Sequence, residues 1–225
     1  MFRIKICGIT RPEDALAAAT AGADAIGLNF YQASPRFVDP RRIEAIRSVL
    51  PAHVAKVGVF VNAAADAICE AAKLAQLDYA QLHGDEPPDV IGQLRGLPVI
   101  RAFRLADRWQ PIIEYLQHCR GLGSLPTAVL VDACRPGSYG GTGELADWSM
   151  TRQYHDLGLD LPLILAGGLR PDNVAAAIAA VRPFGVDTAS GVEQSPGSKD
   201  AQKITDFVAA ARNALVNLGK PTYYL

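Results

Sequence analysis

The sequence has 225 residues, of which 49% are hydrophobic and 20% charged, a composition typical of a globular protein with a sizeable core. Its formal net charge of −1 argues against a nucleic acid or an anionic membrane as the main partner. No apolar run approaches the roughly 18 residues that span a bilayer, and the four cysteines include no CxxC pair. We therefore expect a cytoplasmic protein without membrane or nucleic-acid partners.

Short apolar runs recur at intervals of roughly 20 to 35 residues, which suits repeated strand–helix units. Thr10-x-x-Glu13, with Pro12 in the first turn, predicts a capping box at the start of the first helix. The predicted strands are Arg3–Cys7, Asp24–Phe30, Ala55–Val61, Asp78–Leu82, Pro98–Phe103, Ala128–Asp132, Pro162–Ala166 and Phe184–Ala189. Alanine-rich stretches at helical spacing between them include Glu13–Ala21, Ala64–Leu77, Asn173–Val181 and Asp200–Val216.

The alternation of eight strands with helices favours a closed (β/α)8 barrel of parallel strands, a TIM barrel, over an open sheet. The run Val57–Val61 is continuously apolar, as expected for a strand buried on both faces. An open doubly wound sheet would carry its glycine fingerprint after the first strand, where Cys7-Gly8-Ile9-Thr10 has one glycine. No linker divides the sequence, so we expect one domain over residues 1–225.

Two glycine-containing turns end the last two predicted strands. Ala166-Gly167-Gly168 and Ala189-Ser190-Gly191 are each followed by a predicted helix start. Glycine lets the backbone approach a ligand closely, and amides at a helix N-terminus attract an anion. Because phosphate usually lies at the loops after strands seven and eight of such a barrel, the turns predict a phosphorylated small-molecule substrate.

Few reactive side chains lie at the carboxyl ends of the predicted strands, where barrel active sites form: Cys7, His83, Asp132 and Asp187. Cys7 and Asp132 would lie on opposite walls of one mouth, a base and an acid across a substrate. The alternatives are a small buried apolar residue for Cys7 and a loop-fixing carboxylate for Asp132. His83 is either a hydrogen-bonded rim residue or a binding residue. Asp187 suits a buried structural partner for a cation or for backbone amides.

Two basic residues near the predicted mouth have different expected roles. Arg36 follows the second strand, and its planar fork suits a substrate carboxylate, the alternative being a solvated loop arginine. Lys5 shares a strand face with Cys7 by the period of two. If Cys7 faces the lumen, Lys5 is buried there and needs an acidic or polar partner, in a structural role.

Seven short motifs occur in order along nearly the whole chain: Lys5–Thr10, Ser34–Arg36, Val57–Asn62, Gln81–Gly84, Tyr139–Gly143, Ala166–Leu169 and Val186–Glu193. This ordered set closely resembles the phosphoribosylanthranilate isomerase family of tryptophan biosynthesis. The resemblance implies an Amadori rearrangement of N-(5'-phosphoribosyl)anthranilate, a phosphosugar, without cofactor or metal. The implied product is 1-(2-carboxyphenylamino)-1-deoxyribulose 5-phosphate.

The resemblance also implies a role for each matching residue. Asp132 would be the general acid that opens the ribose ring to an iminium, and Cys7 the general base that removes the proton from the adjacent carbon. Arg36 would hold the anthranilate carboxylate. The other implied binding positions are His83 and Asp187 near the substrate, and the amides around Gly167, Gly168, Ser190 and Gly191 at the phosphate.

Two other functions are compatible with the barrel. A related isomerase of histidine biosynthesis would use two aspartates, but Cys7 occupies the first-strand position. A catalytically inactive phosphate-binding protein is disfavoured because both Cys7 and Asp132 are retained.

We expect a monomer or a homodimer. A second thiol, Cys134, departs from the family pattern, and we expect no Cys7–Cys134 bridge because strands one and six are not neighbours.

Overall fold

Eight parallel strands close into a barrel in chain order in the computed structural model, which describes residues 1–105, 107–132 and 148–218. The first strand pairs with both the second and the eighth, so the ring is complete. The predicted parallel TIM barrel is therefore confirmed. The strands are β1 (Ile4–Cys7), β2 (Ala25–Asn29), β3 (Ala55–Phe60), β4 (Tyr79–Leu82), β5 (Val99–Arg104), β6 (Ala128–Asp132), β7 (Leu163–Ala166) and β8 (Gly185–Thr188).

Helices pack around the barrel, and α8 also contacts α1 and α7, which joins the two ends of the chain around the ring. None of the helices in the described ranges is long and apolar enough to cross a membrane. The helices are α1 (Pro12–Ala21), α2 (Ile43–Ser48), α3 (Ala65–Ala75), α4 (Asp89–Gln93), α5 (Gln110–Gly121), α6 (Trp148–Arg152), α7 (Val174–Val181) and α8 (Ala201–Asn217).

Alternate residues along each strand belong to two different apolar clusters, one inside the barrel and one beneath the helices. On β6, Ala128 and Leu130 join the cluster inside the barrel with residues such as Ile164, whereas Val129 and Val131 join the layer beneath the helices. These four residues of β6 are fully buried, which is why they form a continuous apolar run. Apolar packing fills the lower part of the lumen and leaves the polar residues to its upper end.

The predicted capping box at α1 is wrong. Arg11 occupies the N-cap position without a side-chain cap, and Pro12 opens the helix. The Thr10 hydroxyl instead donates to the carbonyl of Gly197, 2.6 Å away. The Thr10 hydroxyl, which the local pattern assigned to the helix terminus, therefore makes a tertiary hydrogen bond. This bond connects the β1–α1 loop to the segment after β8.

The segment after β8 also differs from the expected direct helix start. Ser190–Val192 forms a single 3-10 turn. It leads into an antiparallel hairpin of β9 (Glu193–Ser195) and β10 (Ser198–Lys199). Helix α8 begins only at Ala201. The turn after β7 is likewise separated from α7, which begins at Val174. The predicted glycine turns therefore do not form the first turns of these two helices.

The turns after β7 and β8 touch at Gly191. A Cβ there would overlap the carbonyl oxygen of Leu169 and lie 2.8 Å from the Thr188 hydroxyl. We expect Gly191→Ala to lower the free energy of unfolding in urea by about 3 kcal/mol, because the obstructing atom belongs to the backbone. Gly121→Ala is the control, since open space surrounds Gly121, and it should not destabilise the protein. Equal stabilities of the two variants would contradict this packing.

Candidate active site

The Cys7 thiol ends β1 beside a glycine of the next strand. Cys7 pairs in register with Gly27 of β2, and a Cβ at Gly27 would lie 2.6 Å from the Cys7 sulfur. Gly27 therefore provides the space that the thiol occupies at the upper end of the lumen. Cys7 is a free cysteine.

A buried ion pair lies one layer below the thiol. The Lys5 ammonium is 2.8 Å from an oxygen of Asp187, and Lys5 is wholly inaccessible to solvent. The two residues are register partners on β1 and β8. Burial lowers the pKa of Lys5, but attraction to Asp187 and Cys7 outweighs it and raises that pKa overall. Lys5 is therefore a fixed positive charge, and its expected acidic partner is Asp187.

Opposing influences act on the pKa of Cys7. Burial raises it most, the ammonium groups of Lys5 and Lys199 lower it, and the Asp187 carboxylate raises it, with a net increase. Arg36 is a further cation close enough to interact with the thiol. The raised pKa favours the neutral thiol at neutral pH.

His83 follows β4 and is held by a lumen residue of the same strand. The side-chain nitrogen of Gln81 lies 2.9 Å from Nδ1 of His83. Burial lowers the pKa of His83 although nearby Asp132 opposes this, so the ring is neutral. With the Gln81 amide donating to Nδ1, the ring hydrogen is assigned to Nε2, which makes His83 a hydrogen-bond donor.

Asp132 ends β6 on the same rim as Cys7 and His83. It pairs with Ala166, the last residue of β7, and with Arg104 at the end of β5. It is half-buried. Strands β7 and β8 lie between Asp132 and Cys7 around the ring, so the carboxyl and the thiol flank the two glycine turns.

The turn after β7 has the backbone conformation that glycine favours. Gly167 and Gly168 have φ values of +93° and +64°. Asn173 closes the turn, because its side chain donates to the carbonyl of Gly168 at 3.0 Å and accepts from the amide of Arg170. Within the described residues, no acceptor is bonded to the amides of Gly167 and Gly168. These amides are available to an anion.

Arg36 is not a solvated loop arginine. Its Nε and Nη2 donate to the two carboxylate oxygens of Glu193, at 2.8 and 2.7 Å. Its aliphatic stem crosses Gly8, where a Cβ would lie 2.6 Å from the Arg36 Cδ. The sequence missed Glu193 as a site residue, because 157 positions separate the partners and no local pattern relates them.

The remaining sequence expectations concern other parts of the chain. The Tyr139–Gly143 motif and Cys134 lie outside the described residues, so the expected absence of a Cys7–Cys134 bridge stays a prediction. Within residues 1–105, 107–132 and 148–218, no group of three His, Cys, Asp or Glu side chains could hold a metal ion.

The sequence of the chain matches a known protein family over most of its length. The family model described as N-(5'phosphoribosyl)anthranilate (PRA) isomerase covers residues 4–210. The chain belongs to this family. It is therefore an isomerase.

Similar proteins match over nearly the full length of both partners. N-(5'-phosphoribosyl)anthranilate isomerase of Pseudomonas fluorescens is 49% identical over 213 residues, 94% of this chain and 96% of the relative. The crystal structure of phosphoribosyl anthranilate isomerase from Thermotoga maritima has a TM-score of 0.83 and 39% identity, covering 95% of this chain and 100% of the other. Another crystal structure of a phosphoribosyl anthranilate isomerase, in complex with reduced 1-(o-carboxyphenylamino)-1-deoxyribulose 5-phosphate, has a TM-score of 0.79 and 37% identity, with the same coverage.

Variants of the buried ion pair should move the pKa of Cys7 in opposite directions. Lys5→Met removes a cation, so the thiolate should form at higher pH, by about one unit; Asp187→Asn removes an anion, so it should form at lower pH by a similar amount. The measurement is the rate of alkylation of Cys7 by iodoacetamide against pH, quantified on the Cys7 peptide by mass spectrometry. A shift in the same direction for both variants would contradict the electrostatic account.

Proposed function

We propose that this chain catalyses the Amadori rearrangement of N-(5'-phosphoribosyl)anthranilate to 1-(2-carboxyphenylamino)-1-deoxyribulose 5-phosphate in tryptophan biosynthesis, without cofactor or metal. The observation that carries the proposal is the placement of Cys7 and Asp132 at the ends of β1 and β6, on either side of the glycine turns after β7 and β8. The names of the relatives support it.

The described cysteines, which are free, suit a reducing cytoplasm.

The first chemical step is assigned to Asp132. Its carboxylic acid donates a proton to the ribose ring oxygen, the bond from that oxygen to C1 breaks, and the lone pair of the anthranilate nitrogen forms an iminium with C1. His83 lies near Asp132, and its neutral ring can donate a hydrogen bond to a substrate hydroxyl or to the carboxylate that remains.

The second step is assigned to Cys7. Its thiolate takes the proton from C2, the C–H electron pair forms the C1–C2 double bond, and the iminium electrons return to nitrogen. The enol product then becomes the ketone. An adjacent positive iminium lowers the pKa of the thiol as well as that of C2–H. The Cys7 thiol therefore releases its proton to solvent when the cation forms, and the resulting thiolate takes the proton from C2.

The two anionic ends of the substrate are assigned to different walls. The phosphate binds the amides around Gly167, Gly168, Ser190 and Gly191, and the carboxylate binds Arg36. Asp187 holds Lys5 in the buried ion pair, and its expected position near the substrate stays a prediction.

Turnover of phosphoribosylanthranilate, followed by the loss of its anthranilate fluorescence, tests the proposed function. We expect saturable turnover without added metal or cofactor and in the presence of a chelator. Binding without turnover would support an inactive phosphate-binding protein. Turnover confined to the corresponding histidine-pathway phosphosugar would support the related isomerase.

Cys7→Ser should reduce kcat by at least about 10²-fold, because a hydroxyl is a far weaker base at neutral pH and general-base catalysis contributes roughly 10² to 10⁴. The affinity for reduced 1-(2-carboxyphenylamino)-1-deoxyribulose 5-phosphate, an analogue of the product, should change little. Cys69→Ser is the matched control, since Cys69 is a free cysteine on α3, remote from β1, and its kcat should equal that of the parent. Normal turnover by Cys7→Ser would exclude Cys7 as the base.

Asp132→Asn should remove acid catalysis of ring opening while keeping the shape of the side chain, with a loss of about 10² to 10⁴ in kcat. An acyclic analogue that enters the reaction after ring opening should be turned over by this variant at close to the parental rate. Equal losses on the closed and the acyclic substrates would instead assign Asp132 a structural role.

A further inference from the structure

Glu193 is a buried carboxylate held on both sides by cations. Its side chain is 4% exposed. One oxygen accepts hydrogen bonds from Arg36 Nε and Lys199 Nζ, both at 2.8 Å, and from the amide of Gly197 at 3.3 Å. The other accepts from Arg36 Nη2 at 2.7 Å. So many donors leave the carboxylate a single orientation.

Lys199 anchors this carboxylate to the turn that follows β8. Its side chain is 0% exposed, and Nζ also donates to the carbonyl of Ala189 at 2.9 Å. Burial alone would raise the pKa of Glu193, but the bonds from Arg36 and Lys199 lower it overall, so Glu193 is ionised. With two cations and one anion the cluster has a net charge of +1, and it still attracts an anionic ligand.

The contact with Glu193 determines which edge of Arg36 remains available. The Nε–Nη2 edge is filled, and the stem rests on Gly8. Within the part of the chain that the structure describes, Nη1 has no hydrogen-bond partner, and the side chain is 24% exposed. The donors left for a ligand are those of Nη1 and the second hydrogen of Nη2, which form a planar end-on fork.

We propose that Glu193 is a positioning residue for substrate recognition: it holds Arg36 so that the end-on fork, and no other edge, meets the carboxylate of the substrate. The inference rests on the proposed role of Arg36 in carboxylate binding. The β9–β10 hairpin then carries a carboxylate that selects for carboxylated ligands among phosphosugars.

Glu193→Gln tests the proposal with little change in shape. The amide oxygen can keep the bonds from Arg36 Nε, Lys199 and Gly197, but the amide nitrogen then faces Arg36 Nη2, donor against donor. The ligands are reduced 1-(2-carboxyphenylamino)-1-deoxyribulose 5-phosphate and its counterpart without the carboxylate, with affinities measured by calorimetry. We expect at least roughly tenfold weaker binding of the carboxylated ligand and less than about twofold change for the other.

Two further variants make the result decisive. Glu193→Asp keeps the charge but shortens the side chain, so it cannot reach both Arg36 and Lys199, and it should show the same selective loss. This variant serves if Glu193→Gln folds poorly. Glu44→Gln is the control, since Glu44 is an exposed acid paired with Arg47, and it should change neither affinity.

The outcomes separate this inference from the proposed function. A selective loss with Arg36→Met but not with either Glu193 variant would overturn the positioning role and leave the carboxylate role of Arg36 intact. Equal loss for both ligands in the Glu193 variants would show a structural role and would also overturn the inference. Equal loss for both ligands with Arg36→Met would overturn the carboxylate role of Arg36 and the inference with it.

Discussion

Burying charge inside a barrel requires that each charge be matched, and the polar upper end of this lumen follows from that constraint. Lys5 is inaccessible to water, so it depends on Asp187 across the β1–β8 junction. The pair lies beneath Cys7, where Lys5 lowers the pKa of the thiol and Asp187 raises it. A second cluster, in which Arg36 and Lys199 share the Glu193 carboxylate, lies close enough to interact with the thiol. Together they place fixed charges around the thiol, and only Arg36 of the five charged residues is substantially exposed.

The strands and much of the barrel rim could be predicted because they follow from patterns of neighbouring residues in the sequence. A parallel strand covered on both faces is mostly apolar, as residues 128–131 of β6 are. A reactive side chain at the last position of such a strand must then lie at the carboxyl end of the barrel, which identified Cys7, Asp132 and the neighbourhood of His83. Period-two alternation also indicated that Lys5 would be buried and need a partner.

The features that the sequence did not reveal are contacts between distant parts of the chain. Thr10 fits a capping box, but its hydroxyl is bonded to Gly197, 187 positions away. The hairpin after β8 has no strong strand pattern, since it is short and one of its residues, Glu193, is a buried acid. Glu193 pairs with Lys199 inside the hairpin and with Arg36, 157 positions away, and only the closed ring brings Arg36 close to the hairpin.

The central claim is that one ligand joins the glycine turns, the thiol and Arg36 across a single mouth. A crystal structure with reduced 1-(2-carboxyphenylamino)-1-deoxyribulose 5-phosphate tests it most directly. The account predicts the phosphate at the amides around Gly168 and Gly191, the carboxylate on Nη1 and Nη2 of Arg36, and C2 in contact with the Cys7 sulfur. A ligand with its phosphate elsewhere in the mouth, or with C2 remote from Cys7, would contradict it.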